Sequence, residues 1–331
     1  MKHPLVSVII PTYKRYNSLK RAINSVLRQT YPNFELIIVD DNEPDSRFRK
    51  MNEFLMGKLT NNERIKYIKH KKSFNGAVAR NTGISHSKGR YIAFLDDDDE
   101  FLKNKLKFQV RLLEKLDNSW GATYCGSAIY RKNKLIQKNL NLKFGNLKQN
   151  LLLIEPSIMG GSTLLVRKSV LKELNGFDPT FNRHQDWEFL IRFFRRYKIA
   201  YVNKIFVNIY RDDSRNIPNS KNAAAFRIKY LEKYRKDIGK MPIKLRKEVY
   251  KRHYLSIVSI LLKNKDIIKA LQYFKKTKNF TKISFFEYCK LIINFINSIF
   301  PIKLFIFAFF EIFPFSHSLK SIMNTLINSK N

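Results

Sequence analysis

The sequence predicts an α/β protein built on a mostly parallel sheet with helices on both faces. Short apolar runs rich in β-branched residues recur along the first third of the chain, and stretches with helical apolar spacing separate them. The runs end in polar or acidic segments. Strands that alternate with helices at this spacing form parallel sheets, which bind ligands beyond the carboxyl ends of their strands. We therefore expect the functional site at that edge of the sheet.

Four strands and three helices are predicted in this first part of the chain. The strands are residues 5–10, 34–39, 65–68 and 92–95. The helix after the first strand has Asn17 or Ser18 as its predicted N-cap. Further helices are predicted at 76–86 and, after the fourth strand, at 101–116.

The pattern changes in the middle of the chain. Extended pieces at 122–130 and 135–142 predict an antiparallel extension of the sheet. Gly160 and Gly161 precede a predicted strand at 163–166 and let the backbone approach either a neighbouring strand or a ligand. An amphipathic helix is predicted at 183–196, and its periodicity alone favours an N-cap role for Asp186.

Four consecutive aspartates, residues 96–99, follow the fourth strand. Adjacent carboxylates repel one another, and a divalent cation that takes hard oxygen ligands offsets their charge. Capping of the next helix is the alternative, but a cap and the helix dipole account for two of the four at most. No glycine-rich phosphate loop follows the first strand. A metal that bridges a diphosphate is therefore the favoured interpretation.

The composition indicates an anionic partner. The chain of 331 residues carries 63 Lys and Arg against 27 Asp and Glu, a formal net charge of +36. Nucleic acid, anionic lipid and phosphorylated small molecules all fit this charge. Cys125 and Cys289 have no metal-ligand spacing and indicate no disulfide framework. The short apolar run at the N-terminus stops at Pro11 without a cleavage site, which predicts a cytosolic protein.

The last part of the chain, residues 216–331, is basic and is predicted to be helical. It holds 23 Lys and Arg against 6 Asp and Glu, a net charge of +17. Helices at 250–262 and 266–275 predict a helical hairpin, and an apolar, aromatic segment follows at about 283–315. Lysines beside such a segment favour an interfacial position on an anionic membrane surface. Packing on the rest of the protein or on a partner is the alternative.

The ordered motifs resemble those of the family 2 glycosyltransferases, enzymes of the GT-A fold that use nucleotide sugars. The matching pieces are 8–13 with Arg15, 38–42, 79–83, 94–99, 161–162, 176–178 and 185–188 with Arg192, covering residues 5 to about 215. Two positions depart from the pattern. Phe101 stands where a Trp is common, and Gln185 stands where a Glu often precedes the catalytic base.

The resemblance implies roles for the matching residues. The nucleotide would be held by Pro11, Thr12, Tyr13, Arg15, Asp40, Asp41, Arg80 and Asp97. Asp41 would accept the ring N–H of the base, Asp97 would lie near the ribose, and Asp40 would either assist or be structural. Asp96 and Asp98, a D-x-D pattern, would hold Mg²⁺ or Mn²⁺. Asp99 would then cap a helix that begins at about Glu100.

The resemblance also replaces the N-cap interpretation of Asp186 with a catalytic one. Asp186 would remove the proton of the acceptor hydroxyl as a general base, which inverts the configuration at the sugar. Gly161, Ser162 and Trp187 would lie on the acceptor side of the site.

The resemblance implies a metal-dependent hexosyltransferase that moves a sugar from a UDP-sugar to a glycan or lipid-linked glycan in cell-surface polysaccharide biosynthesis. Residues 1–215 would form the catalytic domain and 216–331 a basic region on the inner face of the cell membrane. A nucleic-acid-binding protein is one rival, but the basic residues are spread out and no zinc-finger or RNP-type motif is present, so no nucleic acid is expected as a partner. A catalytically inactive scaffold is the other rival.

Overall fold

The computed structural model describes residues 3–291, except for 60, 141–142, 156–159, 212–219, 279, 281–283, 285–286 and 288–290. The chain divides into two compact units, Met1–Ile217 and Pro218–Asn331. The structure confirms the predicted α/β class with a mostly parallel sheet and a helical C-terminal region.

One sheet forms the centre of the first unit. Its strands are β1 (Val6–Thr12), β2 (Phe34–Asp40), β3 (Ile65–Lys69), β4 (Tyr91–Phe94), β5 (Glu100–Phe101), β6 (Trp120–Arg131), β7 (Lys134–Asn139), β8 (Leu165–Arg167) and β9 (Lys198–Tyr210). Within the described residues their order is β3-β2-β1-β4-β8-β6-β9-β5, with β7 paired to β6. The helices of this unit are α1 (Tyr16–Leu27), α2 (Arg47–Gly57), α3 (Gly76–His86), α4 (Lys105–Leu113), α5 (Lys148–Leu152), α6 (Lys168–Glu173) and α7 (Gln185–Phe193).

The pairing of the strands determines at which edge of the sheet the segments after β1, β2 and β4 emerge. β1 is parallel to β2 and to β4, and β2 is parallel to β3, so the segments after these strands emerge at one edge of the sheet. β8 is antiparallel to both β4 and β6, while β6 and β9 form a long parallel ladder. The predicted antiparallel extension is confirmed by the pairing of β6 with β7.

Helices pack on both faces of β1. The buried side of α1, including Leu19 and Val26, belongs to the same apolar core as Val8. On the opposite face α3 approaches so closely that a Cβ added to Gly83 would lie 2.4 Å from Cγ2 of Ile9. Each fully buried aliphatic side chain contributes about 1.5–3 kcal/mol relative to an exposed one. The apolar alternation of β1 therefore fixes which helix covers which face.

Several predicted boundaries were wrong. The helix expected at 101–116 begins at Lys105, because Glu100 and Phe101 form β5 and pair with β9. Asp99 is therefore not a helix cap. The N-cap of α1 is Arg15 without a side-chain hydrogen bond, rather than Asn17 or Ser18. The strand expected at 163–166 is split into a 3-10 turn, Gly161–Thr163, and β8.

The described part of the second unit is helical. It contains α8 (Ser220–Lys233), α9 (Arg235–Gly239), α10 (Ile243–Lys263) and α11 (Ile267–Lys278). The predicted hairpin is confirmed: Ile257 and Leu261 of α10 share an apolar core with Ala270 of α11. Among the described residues no helix is both long and apolar enough to cross a bilayer. The aromatic segment predicted at about 283–315 lies almost entirely outside the described residues.

Candidate functional site

A cleft of about 760 Å³ opens at the carboxyl edge of β1, β2 and β4. Its volume is in the range of small-molecule sites. The lining comes from the end of β1 and the segment after it, from Asp41 after β2, from α3, from the aspartates and from the start of α7 with the residues just before it; Gly161 and Phe177 complete it. The lining residues are Pro11, Thr12, Tyr13, Lys14, Arg15, Asp41, Gly76, Ala79, Arg80, Asp96, Asp97, Asp98, Gly161, Phe177, Asn182, Arg183, His184, Gln185 and Asp186.

The four aspartates, which we call the acidic loop (residues 96–99), are held from several sides. The backbone N–H of Tyr13 donates to Asp97 Oδ2 at 3.2 Å, and Arg15 Nη1 donates to Asp97 Oδ1 at 3.2 Å. Arg15 also pairs with Asp98. Burial raises the pKa of Asp97 to about 7, although the charge of Arg15 opposes this change.

Arg80 connects the acidic loop to α7. Its Nη2 donates to Asp96 Oδ1 at 2.5 Å, and its Nη1 donates to Gln185 Oε1 at 2.6 Å. Gln185 therefore accepts a hydrogen bond from a cation, which a Glu at this position would also do. The departure from the family pattern at Gln185 preserves this contact while removing one negative charge beside Asp186.

Three carboxylates of the acidic loop fit a divalent cation. Asp96, Asp98 and Asp99 each offer an oxygen, and these oxygens lie within 4.8 Å of one another. Carboxylate oxygens are the donors that Mg²⁺ and Mn²⁺ prefer. Burial, reinforced by the charges of Asp98 and Asp96, raises the pKa of Asp99 well above its ordinary value. The sequence pattern predicted Asp96 and Asp98, and the structure adds Asp99 to this group.

Asp186 lies at the second position of α7 and faces the cleft. The N-cap of α7 is His184, so the capping role that periodicity favoured for Asp186 is wrong. Burial raises the pKa of Asp186 to about 6, the charge of Arg80 lowers it, and the charge of Asp96 raises it further. A carboxylate with a pKa near neutrality is suited to general-base work.

The start of α7 is fixed by a buried ion pair beneath it. Glu188 is fully buried and accepts two hydrogen bonds from Arg192, at 2.7 and 2.6 Å. Arg192 also donates to the carbonyl oxygen of Gly176 at 2.7 Å. Asn81 of α3 bonds both the N–H and the carbonyl of Phe177 in the same turn. The motifs at 79–83, at 176–178 and at 185–188 with Arg192 are thus held together by hydrogen bonds next to Asp186.

The two aspartates after β2 have different surroundings. Asp41 lines the cleft, and its Oδ1 accepts from the backbone N–H of Phe74 at 3.0 Å and lies 2.7 Å from Nδ1 of His70. Burial raises the pKa of Asp41, although the hydrogen bond with His70 lowers it. Asp40 is fully buried outside the cleft. Its carboxylate accepts from Asn52 at 2.9 Å and from the hydroxyl of Tyr67 at 2.5 Å. This geometry supports a structural role for Asp40 and does not fit nucleotide contact.

Two of the three predicted acceptor-side residues do not line the cleft. Gly161 does, but Ser162 is buried beneath the acidic loop, where its Oγ accepts from the backbone N–H of Asp96 at 3.0 Å and donates to Asp99. Trp187 packs its ring 4.9 Å from that of His184. The geometry therefore fits support of the acidic loop by Ser162 rather than contact with an acceptor.

Sequence patterns did not single out His70, Arg183 or His184. Arg183 and His184 lie in the segment before α7, which begins at Gln185, and line the cleft. His70 contacts Asp41. Their only sequence signal is their place directly before a helix or directly after a strand.

Comparison with known proteins identifies the family of this chain. The family model "Glycosyl transferase family 2" matches residues 7–174. An uncharacterized glycosyltransferase of Rickettsia bellii is 33% identical over 209 residues, which make up 62% of this chain and 29% of that protein. The UDP-Glc:alpha-D-GlcNAc-diphosphoundecaprenol beta-1,3-glucosyltransferase WfgD of Escherichia coli is 37% identical over 134 residues, which make up 40% of this chain and 50% of that protein. The chain thus spans half or less of the length of these two relatives.

A solved structure shows the same fold. Mannosyltransferase PcManGT from Pyrobaculum calidifontis, solved in complex with GDP-Man and Mn²⁺, has a TM-score of 0.56 and 15% identity over 90% of this chain and 81% of that one. The fold is that of the GT-A glycosyltransferases. The chain belongs to glycosyltransferase family 2 and is a glycosyltransferase.

Proposed function

We propose that this enzyme transfers a sugar from a UDP-sugar to a lipid-linked glycan, with a divalent metal and with inversion of configuration. The observation that carries the proposal is the meeting of three groups in one cleft: Asp41, the acidic loop and Asp186. They would serve the nucleobase, the diphosphate and the acceptor hydroxyl respectively. Tyr13 and Arg15 contact the acidic loop and line the same cleft.

The donor is proposed from the acceptor chemistry of Asp41. An ionised carboxylate only accepts hydrogen bonds, so it favours a base with a ring N–H, such as uracil or guanine. WfgD is named for UDP-Glc and PcManGT was solved with GDP-Man, and both of their bases have that group. We favour UDP because WfgD is the more similar of the two in sequence.

Asp96, Asp98 and Asp99 would hold Mg²⁺ or Mn²⁺. When bound, such an ion offsets the negative charge that develops on a departing nucleoside diphosphate. Arg80 and Arg15 hold Asp96 and Asp98 in place, and Arg80 lines the cleft where a diphosphate oxygen would need a donor. The guanidinium of Arg80 can donate to such an oxygen while its other nitrogen keeps Gln185.

Asp186 would accept the proton of the acceptor hydroxyl. Its pKa of about 6 leaves it mostly ionised at neutral pH and still basic enough to accept a proton in the transition state. Attack assisted by a base on the face opposite the leaving group inverts the anomeric centre. The ion pair of Glu188 with Arg192 would keep the base in register with the sugar, because it fixes the first turns of α7.

The acceptor and the cellular location are proposed from the name of a relative and from the charge of the C-terminal region. WfgD is named for a diphosphoundecaprenol-linked acceptor, which supports a lipid-linked glycan and a part in cell-surface polysaccharide biosynthesis. The basic residues 216–331 support a peripheral position on the inner, cytoplasmic face of the cell membrane. Sedimentation of the full chain with anionic vesicles, and of a chain ending at Lys282, tests this position; equal sedimentation of both would contradict an anchor beyond Lys282.

Turnover of a panel of UDP- and GDP-sugars, with an undecaprenyl diphosphate-linked sugar as acceptor, tests the activity. EDTA should abolish turnover, and Asp98→Asn should weaken Mn²⁺ binding about tenfold or more, measured by calorimetry. Asp45→Asn removes an exposed carboxylate that does not line the cleft and serves as the control. Full turnover in EDTA and by Asp98→Asn would refute the proposed metal dependence. Nucleic-acid binding without nucleotide binding would instead support the alternative that this is a nucleic-acid-binding protein.

A further inference from the structure

We infer that His70 is a positioning residue for nucleobase recognition, which fixes the carboxylate of Asp41 in the orientation that accepts the base. The inference rests on the proposed function, in which Asp41 meets the base. Nδ1 of His70 lies 2.7 Å from Oδ1 of Asp41, and Nε2 lies 2.9 Å from Oγ1 of Thr82. The His70 side chain is only 9% exposed.

The carboxylate of Asp41 selects one form of the His70 ring, and Thr82 pairs with that form. A carboxylate only accepts hydrogen bonds, so Nδ1 must carry the proton that is shared with Asp41. In the neutral ring Nε2 then has a lone pair, which accepts the hydroxyl proton of Thr82. The other tautomer is disfavoured because its Nδ1 lone pair would face the carboxylate, whereas the hydroxyl of Thr82, on α3, can pair with Nε2 in either tautomer.

The position of the ring is fixed by its surroundings. The backbone N–H of His70 donates to the carbonyl of Asp40 at 3.0 Å, and its own carbonyl accepts from Arg49 at 3.0 Å. The ring meets the ring of Phe74 edge to face, with centroids 5.3 Å apart. His70 is therefore a rigid donor at the carboxyl end of β3.

The contact leaves one oxygen of Asp41 for a ligand. Oδ1 takes both the proton of His70 and the backbone N–H of Phe74. Oδ2 has the hydroxyl of Ser73 at 3.5 Å, the outer limit of a hydrogen bond. Since Asp41 lines the cleft, Oδ2 is the atom that would receive the ring N–H of a base.

This orientation has a consequence for base selection. Uracil at N3 and guanine at N1 present an N–H to a carboxylate, whereas cytosine at N3 presents a lone pair. A fixed Oδ2 therefore favours UDP and repels CDP. Without His70 the carboxylate can rotate, which weakens UDP binding and reduces the discrimination against CDP.

Calorimetric titration of UDP and CDP into the full chain and its variants tests the inference. We expect His70→Ala to bind UDP about tenfold more weakly, with a smaller UDP-to-CDP affinity ratio. His70→Asn should restore UDP binding to within about threefold, because its amide N–H lies near the position of Nδ1, whereas His70→Gln should not. Thr82→Val should weaken UDP binding about threefold and Thr82→Ser should not, because only the valine loses the hydroxyl.

The outcomes separate the inference from the proposed function. If the unmodified chain binds neither UDP nor GDP, the proposed function fails and the role of His70 fails with it. If the unmodified chain binds UDP and His70→Ala keeps the same affinity and ratio, only the role of His70 is overturned. Equal weakening by the alanine, asparagine and glutamine variants would show a general packing role instead. Should His70→Ala not fold, the two Thr82 variants decide.

Discussion

Replacement of Asp186 by asparagine should abolish most activity and at the same time stabilise the protein. Burial raises the pKa of this carboxyl from 3.8 to about 6. The ionised carboxylate therefore lowers the free energy of unfolding. Asparagine has nearly the same shape without the charge. Loss of activity together with a gain in stability would exclude unfolding as the reason for the loss.

The magnitude and its pH dependence follow from linkage. A rise in pKa from 3.8 to about 6 corresponds to about 3 kcal/mol when both states are ionised. The side chain is partly exposed, so solvent reduces the expected gain to about 1–2 kcal/mol. Between pH 3.8 and about 6 the unfolded chain releases its proton first, so stability of the unmodified protein falls as pH rises through this window. The advantage of asparagine should therefore be largest above pH 6.

Thermal unfolding at pH 5 and pH 8, combined with turnover assays, measures both effects. At pH 8 the Asp186→Asn variant should melt about 2–8 °C higher than the unmodified protein. At pH 5 the difference should shrink, and Asp45→Asn, at an exposed position, should melt like the unmodified protein at both values. Turnover should fall by about 10²–10⁴, and kcat/KM of the unmodified enzyme should rise with pH up to about 6. A variant that is no more stable at pH 8, or that keeps turnover within tenfold, would refute the reasoning.

Two further substitutions test the scaffold. Gly83→Ala places a methyl group against Ile9 and should lower the free energy of unfolding by about 1–3 kcal/mol in a denaturant titration, whereas Gly57→Ala, which meets open space, should not lower it. Tyr67→Phe removes a donor from the buried carboxylate of Asp40 and should cost about 1–3 kcal/mol without changing UDP affinity. A drop in UDP affinity as large as that of His70→Ala would instead place Asp40 at the nucleotide.

The sequence was sufficient for the elements that depend on local pattern. The helix at 76–86 was predicted with the bounds that the structure shows, and the structure adds that the side chain of Asn75 caps its start. The strands around the site were predicted to within about two residues, since β-branched runs signal burial. The family motifs also predicted that Asp41, the acidic loop and Asp186 belong to one site.

Features that depend on distant pairing could not be predicted. Glu100 and Phe101 look like the start of a helix, but they pair with a strand about one hundred residues later in the chain, and this pairing moves the helix start to Lys105. Asp99 loses its capping role for the same reason and is buried against Ser162. The burial of Asp40 likewise depends on Tyr67 of another strand. In each case a long-range contact overrides the local signal.

Arg80 connects the two ends of the cleft, and its substitution should affect both. Its guanidinium binds Asp96 in the acidic loop, and its charge lowers the pKa of Asp186 against the effect of burial. Arg80→Gln should therefore weaken donor binding and also move the acid limb of the kcat/KM profile to higher pH, because the pKa of Asp186 rises when the cation is lost. Arg15→Gln, which removes contacts to Asp97 and Asp98, should weaken donor binding while leaving that limb in place. Profiles with the same shift in both variants would show that the charge of the whole acidic loop, rather than Arg80 in particular, governs the base.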